Sequence, residues 1–208
     1  MTKSSNRIAM AATLTGLLAL APVAFAQSAG TTSGSMSKTT TKKSMTTTSA
    51  SKLSSADSKF VKEAAVGGME EVSLGQLAAQ KATDPDVKNF GQKMVDDHSK
   101  ANDQLKQVAS QKGITVPSAL PASKQKEVDQ LSKLSGAAFD KKYVSMMVKD
   151  HKKDVAEFKK ESTKAKDSDV KSFASTTLPT LQDHLKMIED ISAKMHPTKS
   201  AKMSKKGR

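Results

Sequence analysis

The stretch VKNFGQKMVDDHSKANDQLKQV, Val87 to Val108, sets Val87, Gly91, Met94, His98, Ala101, Leu105 and Val108 at alternating steps of four and three. That spacing traces one face of an α-helix, where 3.6 residues make a turn. The face is apolar apart from His98, so the imidazole is predicted to point inward. Asp84-Pro85 in front supplies a capping side chain and a residue suited to a first helical turn, and Gly113 behind supplies a stop.

Working outward, the same periodicity predicts three more long helices. The first runs from a cap at Ser55 or Asp57 to about Thr83, with Ala64, Gly67, Glu71, Leu74 and Ala78 on one stripe. Ile114 to Pro121 reads as a connection with two prolines, followed by a short helix from about Ala122 to Leu134. A long helix after Gly136 aligns Val144, Met147, His151, Val155 and Phe158, and turns near Asp167-Ser168. The last aligns Val170, Ala174, Thr177, Leu181, His184, Ile188 and Ile191, with Pro179 inside it. That proline is predicted to kink the helix, with Ser175, Thr176 or Thr177 satisfying the freed carbonyls. No strand pattern interrupts the series. The predicted fold class is all-α, an antiparallel four-helix bundle with a short extra helix in the middle connection. Met94 to His98 and Met147 to His151 agree at four of five positions, 53 residues apart, which predicts two related helical hairpins.

Residues 1–26 combine Lys3 and Arg7, an apolar run from Ile8 to Ala24 and the exit Ala24-Phe25-Ala26, the pattern of a signal peptide cleaved after Ala26. Residues 27–55 are rich in Ser, Thr, Gly and Lys and read as a disordered linker. The bundle domain is 56–195, and 196–208 a disordered basic tail. No later segment is apolar enough to span a membrane, and the chain has no cysteine to acylate or to form a disulfide. The expected location is the periplasm or the exterior of a bacterial cell.

The formal net charge of +13 suggests a nucleic-acid partner until its location is considered. Between Ala56 and Met195, 23 lysines face all 21 acidic residues, so the excess lies in the terminal segments. A groove reader needs basic residues fixed on an ordered face. Specific nucleic-acid binding is therefore not expected, and the basic ends suit only weak, salt-sensitive contact with envelope polyanions or a membrane surface.

Three Asp-His pairs, Asp97-His98, Asp150-His151 and Asp183-His184, stand on three separate helices, and Glu71 holds the equivalent inward place on the fourth. Glu71 is preferred to Glu70, the fallback, because it shares the apolar stripe. Counted from Asp84, Glu71 is 13 residues before and His98 14 after; each is about 20 Å from the turn. Counted from Asp167, His151 is 16 before and His184 17 after, roughly 24 to 26 Å away. With both turns at one end of the bundle, all four fall within about one helical turn of a single level.

One carboxylate and three imidazoles suit one divalent ion, zinc ahead of copper or iron, held by Glu71, His98, His151 and His184 as a closed tetrahedral set. Asp97, Asp150 and Asp183 are about 100° around their helices from the paired histidines. They read either as acceptors for histidines on neighbouring helices or as solvated charges. Asp154 is either an extra ligand or a surface acid. Met94 and Met147 read as core filler rather than thioether ligands. Tyr143 by itself supports no redox mechanism. No nucleophile–base pair, phosphate-binding loop or cofactor fingerprint occurs, so binding is expected ahead of catalysis, and an enzyme is a third reading that requires an open coordination position or a perturbed acid in a pocket. The alternative is a metal-free envelope or stress-related interaction protein whose Glu/His network sets helix register. A zinc–histidine site would release its ion as imidazoles protonate below about pH 6, whereas a metal-free network would ignore chelators.

FVKEAAVGGMEEVSLGQLA (Phe60–Ala78), VKNFGQKMVDDH (Val87–His98), FDKKYVSMMVKDH (Phe139–His151) and LPTLQDH (Leu178–His184), in this order, resemble the secreted bacterial family called domain of unknown function 4142. The resemblance implies a ferritin-like bundle and no established activity. The residues three before the histidines are Val95, Val148 and Leu181. The Glu-x-x-His pairs of di-iron ferritins are thus absent, which speaks against ferroxidase or oxygenase chemistry.

Overall fold

A computed structural model describes residues 53–196. The signal-peptide reading, the linker reading up to residue 52 and the basic tail from Pro197 lie outside these residues. The described part is all-helical: α1 (Ser55–Lys81), α2 (Pro85–Gln111), α3 (Ala122–Ser132), α4 (Gly136–Lys164) and α5 (Ser168–Met195). No helix among the described residues is long and apolar enough to cross a membrane.

Local chemistry sets the helix ends. Ser54, rather than the predicted Ser55 or Asp57, accepts from Asp57 N at 3.1 Å and starts α1. Asp84 accepts from the amides of Asp86 and Val87 ahead of α2, and Asp167 does the same for Asp169 and Val170 ahead of α5. Gly113 and Gly136 have φ of 66° and 56°, the left-handed region that glycine enters without a Cβ clash. Leu53 is buried beside Phe60, so the chain joins the core slightly before the predicted linker boundary. In α5 the hydroxyls behave differently from expectation. Ser175 Oγ donates to Lys171 O and Thr176 Oγ1 to Ser172 O, and neither reaches Ser175 O, the carbonyl that Pro179 leaves without its usual donor. A hydroxyl reaches only the carbonyl about one turn before its own residue. Ser175 and Pro179 are exposed.

α1 pairs with α2 and α4 with α5, while α2 meets α5 and α1 meets both α3 and α4. Asp57, near the start of α1, accepts from the amides of Lys166 (3.2 Å) and Asp167 (3.0 Å) in the α4–α5 turn. Asp140, near the start of α4, accepts from the amides of Thr83 (3.1 Å) and Asp84 (3.0 Å) in the α1–α2 turn, and from the Thr83 hydroxyl. The two turns therefore lie at opposite ends, contrary to the same-end premise. The shared level survives because Glu71, His98, His151 and His184 all sit near mid-helix. Reversing one hairpin end for end moves them by only a few residues' rise.

These bonds also correct the internal repeat. Met94–His98 lies on the second helix of one hairpin and Met147–His151 on the first of the other, so the 53-residue match joins positions that are not equivalent. A shift of 83 residues, the interval from Asp57 to Asp140, carries Thr83 and Asp84 onto Lys166 and Asp167, and Lys81 onto Lys164. It thus superposes both the capping carboxylates and the turns they hold.

The core is layered. Leu74, Met94, Met147 and Ile188 belong to one apolar cluster, and Ala65, Leu105, Phe158 and Leu181 to another. In chain order Glu71, His98, His151 and His184 each fall between a member of one cluster and a member of the other, a polar layer at mid-height. α1 presents Val61, Ala65 and Gly68 there rather than the predicted Ala64 and Gly67, which are half-buried. The α1–α2 contact is close: a Cβ on Gly75 would stand 2.7 Å from Gly91 O. Glycine at both positions lets the backbones approach.

Candidate metal centre

His98, His151 and His184 arrive from α2, α4 and α5, and are 5%, 0% and 0% exposed. Their ring centroids form a near-equilateral triangle with sides of 5.8, 5.4 and 5.4 Å. One ring nitrogen from each lies within 4.8 Å of the others. With metal–nitrogen bonds of about 2.0–2.1 Å and each nitrogen about 1.1 Å from its ring centre, rings around one ion would stand roughly 5 to 5.5 Å apart. The observed triangle is close to that size.

Each ring is oriented by a different oxygen. His98 Nδ1 lies 3.0 Å from Glu71 Oε2, His184 Nε2 lies 2.8 Å from Asp97 Oδ2, and His151 Nδ1 lies 3.0 Å from Met147 O. A carbonyl only accepts, so His151 carries its proton on Nδ1. Burial alone would raise the Glu71 carboxyl, but the charges of His98 and His151 and the His98 hydrogen bond outweigh it and hold it at about 2. Asp97 is also desolvated, yet Lys93 and His184 keep it below the usual carboxylate range. Both carboxylates are ionised at neutral pH and accept from their histidines.

The nitrogens left over, His98 Nε2, His151 Nε2 and His184 Nδ1, are buried and have no hydrogen-bond partner. Burial pushes His151 down and His184 down to about 4, so both are neutral and offer lone pairs. For His98, burial is outweighed by Glu71, which raises it.

Glu71, predicted as a fourth ligand, spends Oε2 on His98, while its Oε1 stands 3.6 Å from His151 Nδ1 without a hydrogen bond. The group that the fold brings together is His98, His151 and His184, with Glu71 bonded to His98. Asp97 occupies the helix-to-helix acceptor place weighed for it. Asp150 is half-buried and bonds no histidine among the described residues, and Asp183 is exposed. Asp154 is half-buried beside a small cavity, and burial together with Glu71 and Asp150 pushes its carboxyl up to about 9. Glu70 pairs instead with Lys124 at 2.8 Å. Met94 and Met147 are fully buried in the apolar cluster.

Phe90 was not on the predicted stripe, yet it is fully buried and meets His151 and His184 edge-on at 5.9 and 6.2 Å. Its signal was position: an aromatic two turns before His98, next to a glycine thin enough to let α1 close in. Tyr143 packs against Phe90 and Phe139 with its hydroxyl unpartnered, and burial raises that hydroxyl above its ordinary range.

The sequence model of the family described as domain of unknown function (DUF4142) matches residues 42–191. The chain belongs to that family. Two solved structures resemble this DUF4142 chain. A DUF305 fragment from Deinococcus radiodurans is 14% identical with a TM-score of 0.59, covering 67% of this chain and 97% of that one. A candidate secreted DUF305 protein from Streptomyces coelicolor is 15% identical with a TM-score of 0.57, covering 67% and 93%. At such identities the likeness shows the helical fold alone. No curated protein matches the DUF4142 chain.

Proposed function

We propose that this DUF4142 protein is a secreted, ferritin-like antiparallel four-helix bundle that binds one divalent transition-metal ion through His98, His151 and His184. Two observations carry the reading: each of the three rings keeps one buried nitrogen free of any partner, and the rings bring one nitrogen apiece within 4.8 Å of one another. Polar atoms withdrawn from water without a partner cost about 1–3 kcal/mol each. A purely structural network would pair them; an ion satisfies all three.

Glu71, Asp97 and the Met147 carbonyl act from behind the rings, fixing each tautomer and strengthening the donor nitrogen. Neutral imidazoles without a thiolate favour zinc, with copper and iron next. Three protein ligands leave a coordination position that the predicted closed set did not. Secretion is supported by the N-terminal leader pattern and by the description of the Streptomyces coelicolor relative as a candidate secreted protein.

The test is elemental mass spectrometry on protein purified untagged from its native envelope fraction, beside a His98→Ala, His151→Ala double variant. Near-stoichiometric metal in the wild type and none in the variant is expected. A wild type that stays empty after incubation with zinc, copper, iron and manganese would overturn the reading.

A further inference from the structure

The 83-residue symmetry sends the metal centre onto a different place. It carries Glu71 onto Asp154, Gly68 onto His151, Ala101 onto His184, and His98 onto Leu181. Those counterparts, Asp154, Gly68, Ala101 and Leu181, together with Glu71 and His98, line a cavity of about 50 Å³. Where one half of the molecule has imidazoles, the other has glycine, alanine and space. We propose that this cavity is a second cation site, the oxygen-donor counterpart of the three-histidine centre, with the carboxyl groups of Asp154 and Glu71 as its anchoring ligands. It rests on the three-histidine reading only for its neighbour.

Glu71 stands in the wall between the two places. Its Oε2 serves His98, while its Oε1 is buried, in a residue 4% exposed, and bonds to nothing. Asp154 faces the same cavity from α4. Burial and the charges of Glu71 and Asp150 hold its carboxyl protonated at neutral pH, against the weaker opposing pull of Lys153. Carboxyl groups gathered in a poorly solvated space disfavour one another's ionisation, and a divalent cation reverses that preference. The donors are carboxylate oxygens, which select hard cations such as manganese, magnesium or calcium over soft ones. The space exceeds the volume of about 10–15 Å³ that one water needs, so an ion there keeps part of its hydration.

A route in is present. A groove of about 420 Å³ along α1, α3 and α4 shares Glu63, Gly67, Glu71, Lys153 and Asp154 with the cavity. A Cβ on Gly67 would meet nothing within 4 Å, so the seam between groove and cavity is open there.

The test starts from full-length metal-free protein given one equivalent of zinc, whose uptake is measured first and reports the histidine centre by itself. Manganese is then titrated and free Mn²⁺ counted by electron paramagnetic resonance. The zinc-loaded wild type is expected to bind one manganese ion. Asp154→Asn, which replaces a neutral carboxyl by a neutral amide of similar shape, should keep its zinc and lose manganese affinity at least tenfold. Gly67→Leu, filling the seam, should slow manganese uptake with zinc stoichiometry unchanged. Zinc-loaded wild type that takes up no manganese, or Asp154→Asn that binds it as the wild type does, overturns the proposal. If zinc does not bind, the same titration on metal-free protein decides the matter. Manganese lost in Asp154→Asn but kept in His151→Ala supports the second site; the reverse overturns it.

Discussion

At the scale of single residues, the three imidazoles differ in what holds them, and so in what substitution does. His184 depends on one side chain, Asp97, which also pairs with Lys93 at 2.8 Å. Asp97→Ala removes the acceptor that keeps the His184 proton on Nε2 and its Nδ1 free. Metal affinity should fall about 10- to 100-fold with the stoichiometry unchanged, as read by competition against a chromophoric chelator. His151 depends on the Met147 carbonyl, which no substitution removes. The inward aim of all three histidines was legible because each shares a stripe with apolar residues at helical spacing. Their partners were not. Asp97 and His184 are 87 residues apart, and nothing local distinguishes Asp97 from Asp150 or Asp183, each beside a histidine in the same way.

At the scale of elements, buried aspartates near the starts of α1 and α4 hold the turns of the opposite hairpins. Asp140→Ala would strand the amides of Thr83 and Asp84 around a buried position, and should cost about 1–3 kcal/mol in urea unfolding. Lys112, at the end of α2, fastens the start of α5 through Asp167 at 2.7 Å and Asp169 at 2.6 Å. Partial burial would raise Asp167, but the Lys112 hydrogen bond and the amides of Val170 and Asp169 prevail and lower it below the ordinary aspartate value of 3.8. A carboxyl whose folded value is depressed stabilises fully above its unfolded value and loses that contribution as pH falls through the folded one. The gap in urea midpoint between wild type and Lys112→Ala should therefore stay constant from about pH 7 to 5 and shrink below about pH 4. A gap that persists unchanged at pH 2 would assign the effect to packing of the lysine stem.

At the scale of the whole molecule, the polar layer between two apolar clusters makes stability depend on what fills it. An ion at 100 times its dissociation constant adds about 2.7 kcal/mol. Chelation should lower the melting temperature of metal-loaded wild type and leave the His98→Ala, His151→Ala variant unmoved; equal response of both would place the ion elsewhere. The helices, the start of α2 at Asp84 and the inward aim of Glu71 and the three histidines were determined by the sequence itself, because periodicity and capping act within a turn or two of chain. The end-to-end arrangement of the hairpins was not, since the Asp57 and Asp140 bonds join residues more than fifty positions apart. The short Met94–His98 match suggested a repeat that the fold does not use, while the 83-residue one rests on dispersed positions that acquire meaning only when the turns are seen held. The tertiary structure alone decided that Glu71 gives one oxygen to His98 Nδ1 and that its side chain also lines a cavity. Such pairings follow from which side chains the packed helices bring together, and helical spacing carries no record of a neighbour on another helix.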